Sequence, residues 1–127
     1  MINEVAENRE IAQQYKELLR ISYQRLTSSD KKLIRLAFDV AVDAHKNQRR
    51  KSGEPYVFHP ISVAKIVADE IGLDSTSIAS ALLHDVIEDS NYTIEDIKKT
   101  FGKTISKIVY GLTKISNLKK DSYDSIQ

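Results

Sequence analysis

The 127-residue sequence predicts an all-α fold, a single compact bundle of five to six helices. Three observations carry that reading. Apolar residues recur at three- and four-residue spacing through most of the chain. Strand signals are weak: there is no long polar/apolar alternation, no Asn-Gly hairpin turn, and few β-branched clusters. The length suits one domain, and a domain near this size buries roughly two-thirds of its unfolded surface, enough for a core without staples.

The elements follow in order. Residues 4–26 place Ile11, Tyr15, Leu18, Ser22 and Leu26 at helical spacing. The TSSD run at 27–30 is a capping sequence for a second helix reaching about Asn47, with Leu33, Ala37, Val40, Ala41 and Ala44 facing inward. Gly53 and Pro55 break the pattern and mark residues 47–60, NQRRKSGEPYVFHP, as a loop. Pro60 suits the first position of a third helix, with His59 on its N-cap side, and Gly72 suits its end. Asp74 or Ser75 caps the next helix, read as continuous over 78–90. Thr93 and Asp96 have capping-box spacing before a short helix that Gly102 ends. A last helix, roughly 103–118, carries Ile105, Ile108, Val109, Leu112 and Ile115.

Composition excludes several function classes. Apolar residues make up 41% and charged residues 29%, as in globular rather than disordered chains. The absence of cysteine removes disulfides, zinc–thiolate sites and cysteine nucleophiles together. No apolar run approaches the roughly 18 residues of a membrane span, and the mixed, acidic N-terminus MINEVAENRE is no signal peptide. The expectation is a soluble cytoplasmic protein without a membrane partner.

Net charge is +1, but its distribution is uneven. Lys46, Arg49, Arg50 and Lys51 form a basic cluster. From Ile66 to Ile97 there are eight acids and no Lys or Arg, whereas Lys98 onward holds seven Lys and two Asp. One segment suits an anion and another a cation.

The acidic segment contains LLHDVIEDS, residues 82–90. On a helix, Ala79, Leu82, Leu83, Val86 and Ile87 share an apolar arc, and His84, Asp85, Glu88 and Asp89 lie opposite. Alone this is an ordinary amphipathic helix with solvated acids. A solvated face, however, usually mixes signs to relieve repulsion, and clustered carboxylates are costly unless a cation or proton neutralises them. A mixed His/carboxylate set suits manganese, iron or zinc. His84 and Asp85 can converge on one ion, with Glu88 and Asp89 a turn further on, within reach of a bound water. His59 is the natural third ligand, although a capping or packing role fits it too. His45 reads as a side chain that orients the neighbouring loop. In that loop Arg50 can pair with phosphate or stack on a base, Lys51 adds charge, Ser52 a hydroxyl, and Gly53 a close backbone approach. Lys and Arg here also complement a helix C-terminus. The small footprint fits a phosphorylated nucleotide better than DNA.

Taken jointly, RRKSGEPYVFHP, HDVIED with its histidine 25 residues after His59, TIEDIKKTFG and GLTK resemble the N-terminal hydrolase domain of RelA/SpoT-type stringent-response proteins, within the HD phosphohydrolase superfamily. The likeness runs from about residue 25 to 118, leaving 119–127 as a polar tail. It implies an HD-like helical fold and Mn²⁺-dependent hydrolysis of the 3′-pyrophosphate of (p)ppGpp, giving GDP or GTP and pyrophosphate. By motif, His59, His84 and Asp85 match metal ligands. Glu88 and Asp89 match the acidic pair that activates or positions water, and Arg50, Lys51 and Ser52 match the loop that holds guanine and the neighbouring phosphate. The family's fourth ligand, an aspartate in a segment resembling DxRVxLIKLADRxHN, has no counterpart: Asp121 and Asp124 both lie in the tail. The expectation is therefore a partial hydrolase domain with weak or absent metal binding and little activity. The alternative is a non-catalytic guanine-nucleotide-binding regulatory module.

Overall fold

A computed structural model describes residues 3–22, 26–71 and 74–126, with side chains for all of these except 22, 70, 71 and 116–126. The inward placing of the Ser22 side chain, the helix end expected at Gly72 and the side chains of the polar tail lie outside the described residues. Among the described residues seven α-helices follow one another: α1 (Glu4–Ser22), α2 (Ser28–Ala44), α3 (Phe58–Ile66), α4 (Ser75–Leu83), α5 (Val86–Asp89), α6 (Ile94–Phe101) and α7 (Lys103–Ile126). A π-helical turn, Val67–Ile71, prolongs α3. Among the described residues the only extended pairing is an isolated bridge between Arg49 and Pro55. The all-α bundle expected from the periodicity is the fold observed.

Local capping explains several boundaries. Thr27 accepts from Asp30 N while Asp30 accepts from Thr27 N, a reciprocal box that satisfies two orphan donors of α2. Asp30 also accepts from the Ser75 hydroxyl at 2.7 Å, which joins the N-termini of α2 and α4. Of the two cap candidates for α4, Asp74 is the one that accepts, from Ser77 N. Thr93 and Asp96 form a second box at α6. Gly102 has φ +94°, a left-handed conformation that glycine adopts without a Cβ penalty, and it turns the chain from α6 into α7.

The core is centred on α4, where Ile78, Ala79, Leu82 and Leu83 are buried. Ser80 and Ala81 are buried too, so α4 is enclosed on all sides, as an almost uniformly apolar helix should be. It packs against α2, α3 and α7, the last through Ile105 and Val109. Leu18 and Tyr15 attach α1 to this core. The apolar set of α7 divides: Ile108, Leu112 and Ile115 remain exposed.

Four boundaries differ from the sequence reading, one of them the end of α7, read near residue 118 and observed at Ile126, so that the helix continues through the segment read as a polar tail. Helix α2 stops at Ala44, and residues 45–47 form a turn. Helix α3 begins at Phe58, so His59 lies in its first turn and Pro60 third. Proline is tolerated there because first-turn N–H groups have no intrahelical acceptor. Most consequentially, the continuous helix read over 78–90 is broken at His84 and Asp85. The Ala81 carbonyl receives His84 Nδ1 at 2.6 Å and His84 N at 3.4 Å, so a local side-chain bond competes with helix propagation.

Candidate metal centre

The break in the helix shapes the site. A continuous helix would leave Asp85 on the polar side with Glu88 and Asp89. Instead Asp85 turns inward and is only 9% exposed, whereas Glu88 and Asp89 on α5 are exposed. His59 approaches from the first turn of α3. Ligand atoms of His59, His84 and Asp85 all lie within 4.8 Å of one another, the one such group among the described residues. His84 Nε2 is 3.0 Å and His59 Nε2 3.6 Å from the same Asp85 oxygen, Oδ2.

The surrounding bonds orient these donors. His84 donates from Nδ1 to the Ala81 carbonyl, which leaves Nε2 directed at Asp85 and fixes the ring, the supporting arrangement typical of metal-bound histidine. Tyr56 donates its hydroxyl to Asp85 Oδ2 at 2.8 Å. Its ring packs against His45 at 4.8 Å and His59 at 5.9 Å between centroids. His45 is buried and its Nδ1 lies 2.8 Å from Gln48 Oε1. The Gln48 amide in turn donates to the Asp89 carbonyl, which fastens the start of the basic loop to α5.

The three groups also perturb one another's protonation. Burial is the strongest influence on His59 and keeps its pKa below the usual histidine value, which preserves a neutral, ligating imidazole. Burial also opposes charge on His84, but bonds to Asp85 and the Ala81 carbonyl, with the fields of Asp85 and Glu88, outweigh it and raise its pKa. Burial likewise favours neutral Asp85, yet bonds from His84 and Tyr56 with the fields of both histidines hold its carboxyl below the usual range. Two imidazoles and one ionised carboxylate, gathered on one point, are a donor set for a divalent transition metal. Three protein donors leave positions for water or substrate, as in catalytic centres.

The remaining sequence candidates are less tightly gathered. Arg50, Lys51 and Ser52 are exposed on the loop. Arg50 is the member whose charge reaches the centre: it adds to the burial that lowers the His59 pKa, and it weakly opposes the burial and Asp85 contacts that raise the Tyr56 pKa. It also lies 3.8 Å from Glu54, which Ser52 bonds. Glu88 and Asp89 stand at the rim, where their fields reach His84 and Tyr56 respectively. Sequence reasoning missed Tyr56 and Gln48. Tyr56 sits inside the quoted loop motif, three residues before His59, but nothing in its spacing reveals a bond to Asp85, 29 residues away.

A histidine from one helix start, a His-Asp pair at a helix break and a bundle with α4 at its centre define an HD-type metal-site scaffold. Residues 37–126 match the family model described as HD domain, and the chain belongs to that family. It is 42% identical over 105 residues to the Vibrio cholerae protein named guanosine-3′,5′-bis(diphosphate) 3′-pyrophosphohydrolase, covering 83% of this chain and 15% of that protein. It is 49% identical over 88 residues to the Escherichia coli K12 bifunctional (p)ppGpp synthase/hydrolase SpoT, covering 69% of this chain and 12% of the relative. A Streptomyces coelicolor protein named GTP pyrophosphokinase is 37% identical over 102 residues, covering 80% of this chain and 12% of the relative. The resemblance to the RelA/SpoT hydrolase domain is upheld, and the chain spans roughly an eighth of the length of these relatives.

Proposed function

We propose that this chain supplies the metal-holding and nucleotide-loop part of a cytoplasmic (p)ppGpp 3′-pyrophosphohydrolase. The convergence of His59, His84 and Asp85 beside a basic loop is the observation that carries this reading. These three residues would hold Mn²⁺, which when bound lowers the pKa of water and polarises a phosphoryl oxygen. Low-pKa His59 presents a free lone pair, and His84 is fixed through Ala81. Tyr56 holds the Asp85 carboxylate in place. Arg50 and Lys51 offset the substrate's phosphate charge, and Ser52 offers a hydroxyl to it. Glu88 or Asp89 accepts the proton of the attacking water. That oxygen adds to the phosphorus on the ribose 3′-oxygen, the P–O3′ bond breaks, the 3′-oxygen takes a proton, and pyrophosphate departs.

We expect weak Mn²⁺ binding and slow turnover by this chain, whose described residues contribute three donors. The guanine-nucleotide substrate and exclusion of DNA rest on the small basic loop, and the names of the relatives agree with that substrate. No described helix is long and apolar enough to cross a membrane. Incubation of ppGpp with the chain and Mn²⁺, followed by chromatography of products, tests the proposal. Slow release of pyrophosphate and GDP is expected, abolished by chelator and by Asp85→Asn. Binding of ppGpp with no release at any Mn²⁺ concentration would favour instead a non-catalytic guanine-nucleotide-binding regulatory module.

A further inference from the structure

The basic loop is held from outside the metal centre. Arg49 pairs with Glu7 of α1 through both guanidinium nitrogens, Nη2 to Oε1 at 2.6 Å and Nη1 to Oε2 at 2.8 Å. Nη1 also donates to the Gly53 carbonyl at 2.7 Å. One guanidinium thus joins α1 to the loop and closes the loop on itself. Arg50 N donates to the Glu54 carbonyl and Gly53 N to the Arg50 carbonyl, so the residues between are presented by a turn that Arg49 braces. Gly53, at φ +103°, completes that turn.

This pair, like Lys65–Glu17, differs from the local surface ion pairs among the described residues. Arg35–Asp39 and Lys46–Asp43 are local and more than half exposed. Arg49 and Glu7 are 33% and 25% exposed and lie 42 residues apart. A bidentate, partly sheltered pair is the geometry in which an ion pair constrains its partners. The far half of α1 is itself anchored: Lys65 of α3 bonds Glu17 at 2.7 Å and also Gln14, and Leu18 is fully buried. Glu7 and Glu17 are ten residues apart, about 15 Å along a helix. Helix α1 is therefore a strut footed on α3 and touching the loop at its other end.

We propose that Glu7 and Arg49 are positioning residues for the nucleotide loop: α1, through this pair, holds Arg50, Lys51 and Ser52 in their binding arrangement. The proposal rests on the reading of that loop as the nucleotide site. It makes a prediction opposite in sign to simple electrostatics. Removing the Glu7 carboxylate takes a negative charge away from an anion site, and a purely electrostatic role gives tighter binding. A positioning role gives weaker binding, because the loop must then be ordered when nucleotide arrives.

The test is calorimetric titration with ppGpp in metal-free buffer, on wild type, Glu7→Ala, Arg49→Ala, Arg49→Lys and the Glu7→Ala/Arg49→Ala double variant. Hydrogen exchange at the amides of Arg50 and Gly53 is followed in parallel. Glu7→Ala is expected to bind roughly 3- to 10-fold more weakly, the scale set by the ordering cost of one or two side chains. The double variant should be no worse than Arg49→Ala. Arg49→Lys should fall between Arg49→Ala and wild type, since a single ammonium cannot reproduce the bidentate fork. Exchange at both amides should accelerate in Glu7→Ala while α4 amides are unchanged. Unaltered or tighter ppGpp binding by Glu7→Ala overturns the proposal. Arg50→Ala separates the two levels: if it binds ppGpp as wild type does, or if wild type does not bind, the nucleotide-loop reading itself falls. Faster exchange without weaker binding would show a brace without a positioning role, which also counts against the proposal.

Discussion

Tyr56→Phe isolates one hydrogen bond at the candidate metal centre. The substitution keeps the ring that packs against His45 and His59 and removes only the hydroxyl that donates to Asp85 Oδ2 at 2.8 Å. A hydrogen bond to a charged group contributes about 1.5–3 kcal/mol. Asp85 retains His84 as a partner at 3.0 Å, so its charge is not orphaned and the low end, about 1.5 kcal/mol, is expected for folding. For a domain between the small and medium size classes, that corresponds to a fall in Tm of roughly 4–8 °C. The effect on metal should be larger in proportion, because losing a group that orients a ligand typically reduces metal affinity about 10- to 100-fold. Thermal melts and Mn²⁺ titration by electron paramagnetic resonance read the two effects. A variant that melts within a degree of wild type and takes up Mn²⁺ equally well would refute the idea that Tyr56 holds Asp85.

Further predictions concern the scaffold. Leu82→Ala removes a fully buried side chain from the centre of α4 and should cost about 2–5 kcal/mol, seen as a lower urea midpoint. Thr27→Ala breaks the capping box of α2 and should cost about 1 kcal/mol in the same assay. The carboxyl of Asp30 is held below the usual aspartate range by bonds from the Thr27 backbone, Ser75 and the Thr27 hydroxyl, and Asp85 by its own partners. Their unfolded-state values are higher, so their stabilisation is present above about pH 4 and is lost as pH falls through the lower folded values. Urea midpoints should therefore drop between pH 5 and 2, and Asp30→Asn should flatten that slope.

Local signals were the most legible in the sequence. Both capping boxes, at Thr27/Asp30 and Thr93/Asp96, depend on residues three apart, and each forms as read. The adjacent His84 and Asp85 stood out because no cation lies near them in sequence. His59 was placed by its position at the end of the loop and by family resemblance. Periodicity could not reveal the break between α4 and α5, because His84 bonding to Ala81 is a side-chain choice that leaves the apolar pattern intact. The contacts of Tyr56 with Asp85, Gln48 with Asp89 and Arg49 with Glu7 join residues 29, 41 and 42 apart. Those pairings are set by how α1, α3 and α5 pack, and no short-range rule contains them.

The central claim is that His59, His84 and Asp85 form one metal centre. Mn²⁺ titration of the wild type, Asp85→Asn and Arg50→Ala, followed by electron paramagnetic resonance, tests it most directly. One saturable, weakly held equivalent per wild-type chain is expected, lost in Asp85→Asn and kept in Arg50→Ala, whose side chain is exposed on the loop. Equal Mn²⁺ uptake by the wild type and Asp85→Asn would contradict the account.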